Sequence, residues 1–211
     1  MKYTETGFRA LYKRFCAFMI TDAIQSCTNG FPGESDANCI LTYGYIDHEA
    51  GLTLAVLAAG YKSAKGFRFY DGNNSAHHMI RVGAVANDEF FHFDDAADRS
   101  FKERYAYKLS MLKFYDVSEE IEKTRMMAFL DGCRDSNCID DVLVHLTREG
   151  FRTEGCWVRI SGLGDHCIMG KLLNEPIQNF GVHINEWIAF VIQETKDKNI
   201  ICRCDLTPPP K

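Results

Sequence analysis

From Cys39 onward the apolar residues of this chain recur at every second position, in short runs closed by glycine, proline, asparagine or aspartate. A period of two sends alternate side chains to opposite faces, so such runs fold as strands joined by turns. Ile40 to Ile46 and Leu52 to Ala58 flank Asp47-His48-Glu49-Ala50-Gly51, which reads as a hairpin loop with a late glycine. Phe67 to Tyr70 and His78 to Val82 flank a second turn cluster, Asp71-Gly72-Asn73-Asn74, and Asn87-Asp88 sets off Phe90 to Phe93. The spacing predicts an antiparallel meander.

Helical signals lie on either side of it. Phe8, Leu11, Tyr12, Phe15, Phe18 and Met19 recur at three- and four-residue steps, predicting a helix over 8–26 that packs on the sheet and stops at Asn29-Gly30. Ser100 and Glu103 have capping-box spacing, and Phe101, Tyr105, Leu109 and Leu112 share a helical face. The alternation Tyr105, Tyr107, Leu109, Met111 fits a strand nearly as well. Ser118 before Glu119-Glu120 starts a cleaner helix, expected to run to about Leu130, because acidic side chains favour the positive end of the helix dipole. Asp131 to Asn137 reads as a linker or long turn.

Val142 to Leu146, Trp157 to Ile160, His166 to Leu173, Trp187 to Gln193 and Ile200 to Cys204 are then strands. Their breaks are Ser161 to Asp165, Asn174-Glu175-Pro176 and Lys196 to Asn199. Short strands this close together suit a small barrel-like sheet. The expected fold is therefore α+β: an N-terminal helix on an antiparallel sheet, middle helices, and a C-terminal small β-barrel-like module. The expected domains are 1–131 and 138–206, with 207–211 a proline-rich tail that cannot join a ladder.

A net charge of −5 over 211 residues disfavours nucleic acid as partner, since phosphate binding needs a concentrated basic face. Neither a signal-peptide pattern nor an apolar run of membrane-spanning length is visible, so the expectation is a cytoplasmic protein with no membrane partner. Nine cysteines are an odd count, most of them inside apolar runs such as those around Cys16, Cys39 and Cys156, and reduced, buried thiols are expected.

Candidate chemistry is sparse. No Cys-x-x-Cys pair exists. Cys202 and Cys204 share a strand face and make half a metal site with His166 or Cys167, while Cys133 and Cys138 have a permissible zinc spacing in a loop. His77 and His78 point to opposite faces of a strand and cannot share an ion. Against these stand core and surface roles, and neither metal nor cofactor is expected. Asp94-Asp95 follows a strand and precedes a helix, which suits a cap better than acid–base catalysis. Gly162-Leu163-Gly164 lies between two strands and reads as a hairpin turn, not a phosphate cradle. The phenylalanines between Phe67 and Phe93 read as core. The polar constellation that looks chosen is Asn174-Glu175-Pro176, and Trp157 and Trp187 are candidate interface anchors, one of them expected in the core.

At Gly155-Cys156-Trp157-Val158-Arg159-Ile160, Gly170-Lys171-Leu172-Leu173-Asn174-Glu175-Pro176 and Phe180-Gly181-Val182-His183 the chain resembles a bacterial family of small domains of unknown function. That family carries a Trp-Val-Arg/Lys strand, a Gly-x-Leu-x-Asn-Glu/Asp-Pro turn and a Gly-Asp before its last strands. Here Asn185-Glu186 stands in the place of the Gly-Asp. The resemblance covers roughly 140–205. It implies kinship with immunity proteins that neutralise polymorphic toxins, or with domains found beside regulatory modules. By elimination the function reads as non-enzymatic: a cytoplasmic binding or regulatory protein, in its most specific form a toxin neutraliser, whose partner is another protein. Asn174, Glu175, His183 and Trp187 are the candidate partner-binding residues. The alternative is a hydrolase or metal-dependent enzyme with a site between the two modules.

Overall fold

Phe15–Met19 (β1) is a strand inside a six-stranded sheet, not part of a helix, in the computed structural model, which describes residues 1–70 and 76–208. Phe15, Cys16, Ala17 and Phe18 are all buried, so the strand is covered on both faces. A strand covered twice has no polar alternation, and in an almost wholly apolar run helical spacing arises by coincidence. The helix expected over 8–26 is replaced by one turn of α-helix at Tyr3–Thr6 (α1), a 3-10 turn at Phe8–Ala10, a left-handed Lys13 and then β1.

The chain divides into two compact units, Met1–Asp116 and Val117–Lys211. In the first, Cys39–Asp47 (β2) and Gly51–Ser63 (β3) form the expected hairpin, with Gly51 at φ 74° where the turn needs a left-handed residue. Gly66–Phe69 (β4) and His78–Arg81 (β5) both pair with β3, β4 along its end and β5 along its beginning. The turn cluster between them, 71–74, lies outside the described residues. Phe90–His92 (β6) closes the order β4-β3-β2-β1-β6.

This sheet curls. Phe67 of β4 and Phe91 of β6 stand on strands at opposite ends of that order, yet their ring centroids are 5.4 Å apart, and the Lys62 ammonium lies 3.6 Å from the Phe91 centroid. Phe69, Phe93 and Phe101 complete the cluster. Phe101 and the buried Tyr105 come from Asp95–Arg104 (α2) and the residue after it, followed by Ala106–Met111 (α3), so the segment between 95 and 111 is helical and not the alternative strand. Asp94 is the cap of α2, accepting from the Ala97 amide at 2.8 Å, and Ser100, expected to start it, lies inside. Buried Lys108 donates to the Leu57 and Ala76 carbonyls at 3.2 and 3.1 Å and sits over the Phe31 ring; desolvation holds its pKa below the usual lysine value.

In the second unit Ser118 caps Glu119–Met126 (α4), as its sequence implies, by accepting from the Ile121 amide. The helix ends at Met126 and tightens into 3-10 turns at Ala128–Cys133, short of the expected Leu130. Asp141–Thr147 (β7), Glu154–Leu163 (β8), Ile168–Leu172 (β9), Trp187–Glu194 (β10) and Ile200–Asp205 (β11) form a closed barrel, β11 completing it in parallel with β7. Gly162 and Leu163, expected in a hairpin turn, are instead the end of β8, paired with Met169 and Ile168, and the turn proper is 164–167, closed by the Gly164 amide on the Cys167 carbonyl. The barrel interior holds Val142, Val144, Leu146, Cys156, Val158, Ile160, Ile188 and Phe190.

Neither tryptophan is in that core. The inward positions of β8 are Cys156 and Val158, and those of β10 are Ile188 and Phe190. Strand alternation therefore turns Trp157 and Trp187 outward, 37% and 61% exposed. The ring at the centre of the barrel is Phe190, at 1%.

All nine cysteines are free: six buried and three, Cys27, Cys138 and Cys167, partly exposed. Burial pushes Cys16 and Cys202 up to about 12 and Cys39 and Cys204 up to about 11. A thiol reagent at pH 8 should therefore titrate at most the three partly exposed cysteines in native protein and all nine after denaturation, counted by absorbance of the released chromophore. Rapid native modification of Cys16, Cys39 or Cys202, located by mass spectrometry, would show those positions to be open.

Candidate functional site

Asn174, Glu175 and His183 lie in the long connection between β9 and β10, and Trp187 is the residue at which β10 begins. The connection has little backbone ladder of its own, so side chains organise it. Asn174 Oδ1 accepts from the Trp157 amide at 2.7 Å, and the Trp157 carbonyl accepts from the Leu173 amide at 2.8 Å. Glu175 uses both oxygens: Oε1 meets His183 Nδ1 at 2.7 Å and Oε2 accepts from the Ile184 amide at 2.8 Å. Glu186 accepts from the His183 amide at 2.9 Å, and left-handed Asn185 turns the chain into β10. On the other flank Glu154 takes the Ile177 and Gln178 amides at 2.6 and 3.1 Å, and Gln178 grips the Arg152 backbone through both ends of its amide.

Glu175 and Glu186 are thus spent on the connection's own backbone, and Asn174 and Gln178 on that of β8 and the residues before it, while three apolar side chains face solvent. Ile177 is 94% exposed, Ile184 46% and Trp187 61%. The register places Trp187 beside Lys171, Lys171 beside Arg159 and Arg159 beside Asp141, one outward row across four strands. Arg159 holds Asp141 by two bonds, 2.7 and 2.9 Å. Two residues along β8 from Arg159, Trp157 forms a wall of a pocket of about 260 Å3 completed by Asp135, Cys138, Asp141, Leu173 and Asn174. Of the four sequence-derived candidates, Glu175 and His183 are in direct contact, Asn174 lines this pocket, and Trp187 stands apart on the same wall of the barrel.

Sequence reasoning did not find Asp135, Cys138 or Asp141 as neighbours of Trp157. The available signal was Trp157 itself, a large ring between two small inward residues. The half-sites drawn from cysteine spacing do not assemble: Cys202 and Cys204 point into the core, Cys133 donates to the Ile200 carbonyl, and among the described residues no three His, Cys, Asp or Glu side chains converge as metal ligands do.

The Glu175–His183 pair sets a pH window. The hydrogen bond to the Ile184 amide and the His183 partner hold the Glu175 carboxyl below its usual 4.5, and the Glu175 carboxylate raises His183 above its usual 6.5. The depressed acid stabilises the folded connection above about pH 4.5 and loses this as pH falls; the raised histidine stabilises it below about pH 6.5 and loses this as pH climbs through the folded value. The clasp is therefore tightest between those two values. An NMR titration should find His183 above 6.5 in the native chain and back at the ordinary value in Glu175→Gln, with the difference shrinking in high salt. Equal values in the two proteins would mean the contact does not persist in solution.

Comparison with protein-family models, curated proteins and solved structures gave no match to this chain.

Proposed function

We propose that this protein is a binding module that engages a protein partner through the outer wall of its C-terminal barrel, as an immunity-type neutraliser of a toxin would. The carrying observation is the inverted polarity of the β9–β10 connection. Asn174, Glu175, Gln178 and Glu186 turn to the backbone, leaving Ile177, Ile184 and Trp187 outward on the barrel that also exposes Trp157. Single exposed apolar residues are ordinary, but several gathered on one braced loop and the strand it feeds are the mark of an interaction surface. Large aromatic anchors dominate such interfaces, and a loop already held in place loses less entropy on binding. The resemblance of 140–205 to a family with immunity-type kin points to the same kind of partner.

The test is affinity capture from cells expressing the protein, with wild type, Trp187→Ala and Ile177→Asp as baits. Both substitutions alter exposed side chains, so melting temperatures should stay within a few degrees of wild type. A partner retained by wild type and lost from both variants is the expected result. A partner held equally by all three baits would place the interface elsewhere.

A further inference from the structure

The Trp157 pocket has a chemistry more specific than a generic interface. Its aromatic wall is fixed from both sides, by Asn174 on the Trp157 amide and by the Leu173 amide on the Trp157 carbonyl. Its opposite rim is a turn in which Asp135 Oδ1 accepts from the Asn137 and Cys138 amides at 2.9 and 2.8 Å and the Asp135 amide donates to the Asp141 carbonyl at 2.9 Å. Asp135 Oδ2 meets no donor among the described residues. Asp141 is neutralised by Arg159 and Asp140 by Arg125, so the uncompensated charge at the rim is that of Asp135. Burial, then Asp141 and Asp135, push the Cys138 thiol up, against the Arg159 guanidinium, which pulls it down.

We propose that this pocket receives the guanidinium of an arginine side chain presented by the partner. The inference rests on the barrel-wall reading above. A cation is drawn to the face of an indole, most strongly where water is excluded. A guanidinium is planar and can lie on the ring while its N–H fork meets a carboxylate; an ammonium cannot do both. Leu173 offers an apolar surface for the methylene stem. The pocket volume, about 260 Å3, accommodates one side chain. A chain of net charge −5 also attracts a basic partner over distance.

The probes are N-acetyl-arginine methylamide, its neutral isostere N-acetyl-citrulline methylamide, and N-acetyl-lysine methylamide, titrated into full-length protein and followed by amide and indole NMR shifts. The arginine probe should bind saturably, with shifts at the Trp157 indole, 135–141 and 173–174. The citrulline probe should leave these unchanged, and the lysine probe should bind several-fold more weakly. Trp157→Leu should weaken arginine binding about tenfold. Asp135→Asn keeps an oxygen for the Asn137 and Cys138 amides, so it should fold normally and still lose several-fold in affinity. Tyr107→Ala, an exposed ring of the first unit, should leave the probe's affinity unchanged. Citrulline or lysine binding as well as arginine, or shifts spread over all surface carboxylates, would overturn the assignment. Partner capture lost in Trp187→Ala with no arginine binding sinks the pocket alone; arginine binding with partner capture indifferent to Trp157→Leu and Trp187→Ala sinks the barrel-wall reading and leaves the pocket.

Discussion

Arg125→Met should destabilise the second unit by about 3–5 kcal/mol, the cost of stranding a charge whose partner has been removed. Arg125 is 1% exposed and gives Asp140 two bonds, Nε to Oδ1 at 2.9 Å and Nη2 to Oδ2 at 2.6 Å, with Nη1 reaching Glu122 at 3.3 Å. Asp140 in turn offers its carbonyl to the Ile160 amide at 2.8 Å, so the ion pair ties α4 to the barrel strand β8. Both tryptophans of the chain lie in this unit, so their fluorescence during urea unfolding reads its stability directly. Adding Asp140→Leu to Arg125→Met should recover most of the loss, because an apolar pair of similar volume leaves no buried charge. A double variant no more stable than the single would show that the helix, not the ion pair, is what Arg125 supports.

Gly44→Ala should be comparably severe in the first unit, costing more than about 3 kcal/mol. A Cβ at this position would overlap the Leu11 carbonyl oxygen and lie 2.7 Å from its carbon. Neither segment can retreat. The Lys13 amide donates to the Gly44 carbonyl at 2.8 Å and the Gly44 amide to the Arg14 carbonyl at 3.2 Å, while β2 is locked between β1 and β3. Hydrogen exchange should show amide protection collapsing along β1 and β2. Unchanged protection there would mean that the Leu11 backbone yields to the added methyl group.

The parts of the fold that are readable in the sequence are those that a turn or a cap marks off. The β2–β3 hairpin announces itself through its loop and Gly51, α4 through Ser118, and the α2 cap through Asp94, given as a cap though Ser100 was expected to start the helix. β1 reads as a helix because both its faces are covered and, unlike the equally buried β2 and β3, it has no hairpin loop beside it to mark it as a strand. The site divides in the same way. Asn174, Glu175 and His183 meet within one connection, so local turn chemistry points to them. The approach of Asp135 to Trp157 depends on β7 pairing with β8 so that Asp141 faces Arg159, and nothing in the order of residues states that register.

The parallel pairing of β11 with β7 has a consequence for synthesis on the ribosome. Strands β7 to β10 emerge in an order in which each can pair with the one before it, but β7 keeps an open edge until Cys202 to Asp205 arrive to meet Val144 to Thr147. Until then that edge is a row of unpaired amides and carbonyls, the geometry that recruits stray strands from neighbouring nascent chains. A stop codon placed just before Ile200 would leave two such edges permanently exposed, one on β7 and one on β10. The barrel strand translated last, β11, thus decides whether the barrel closes on itself or on its neighbours.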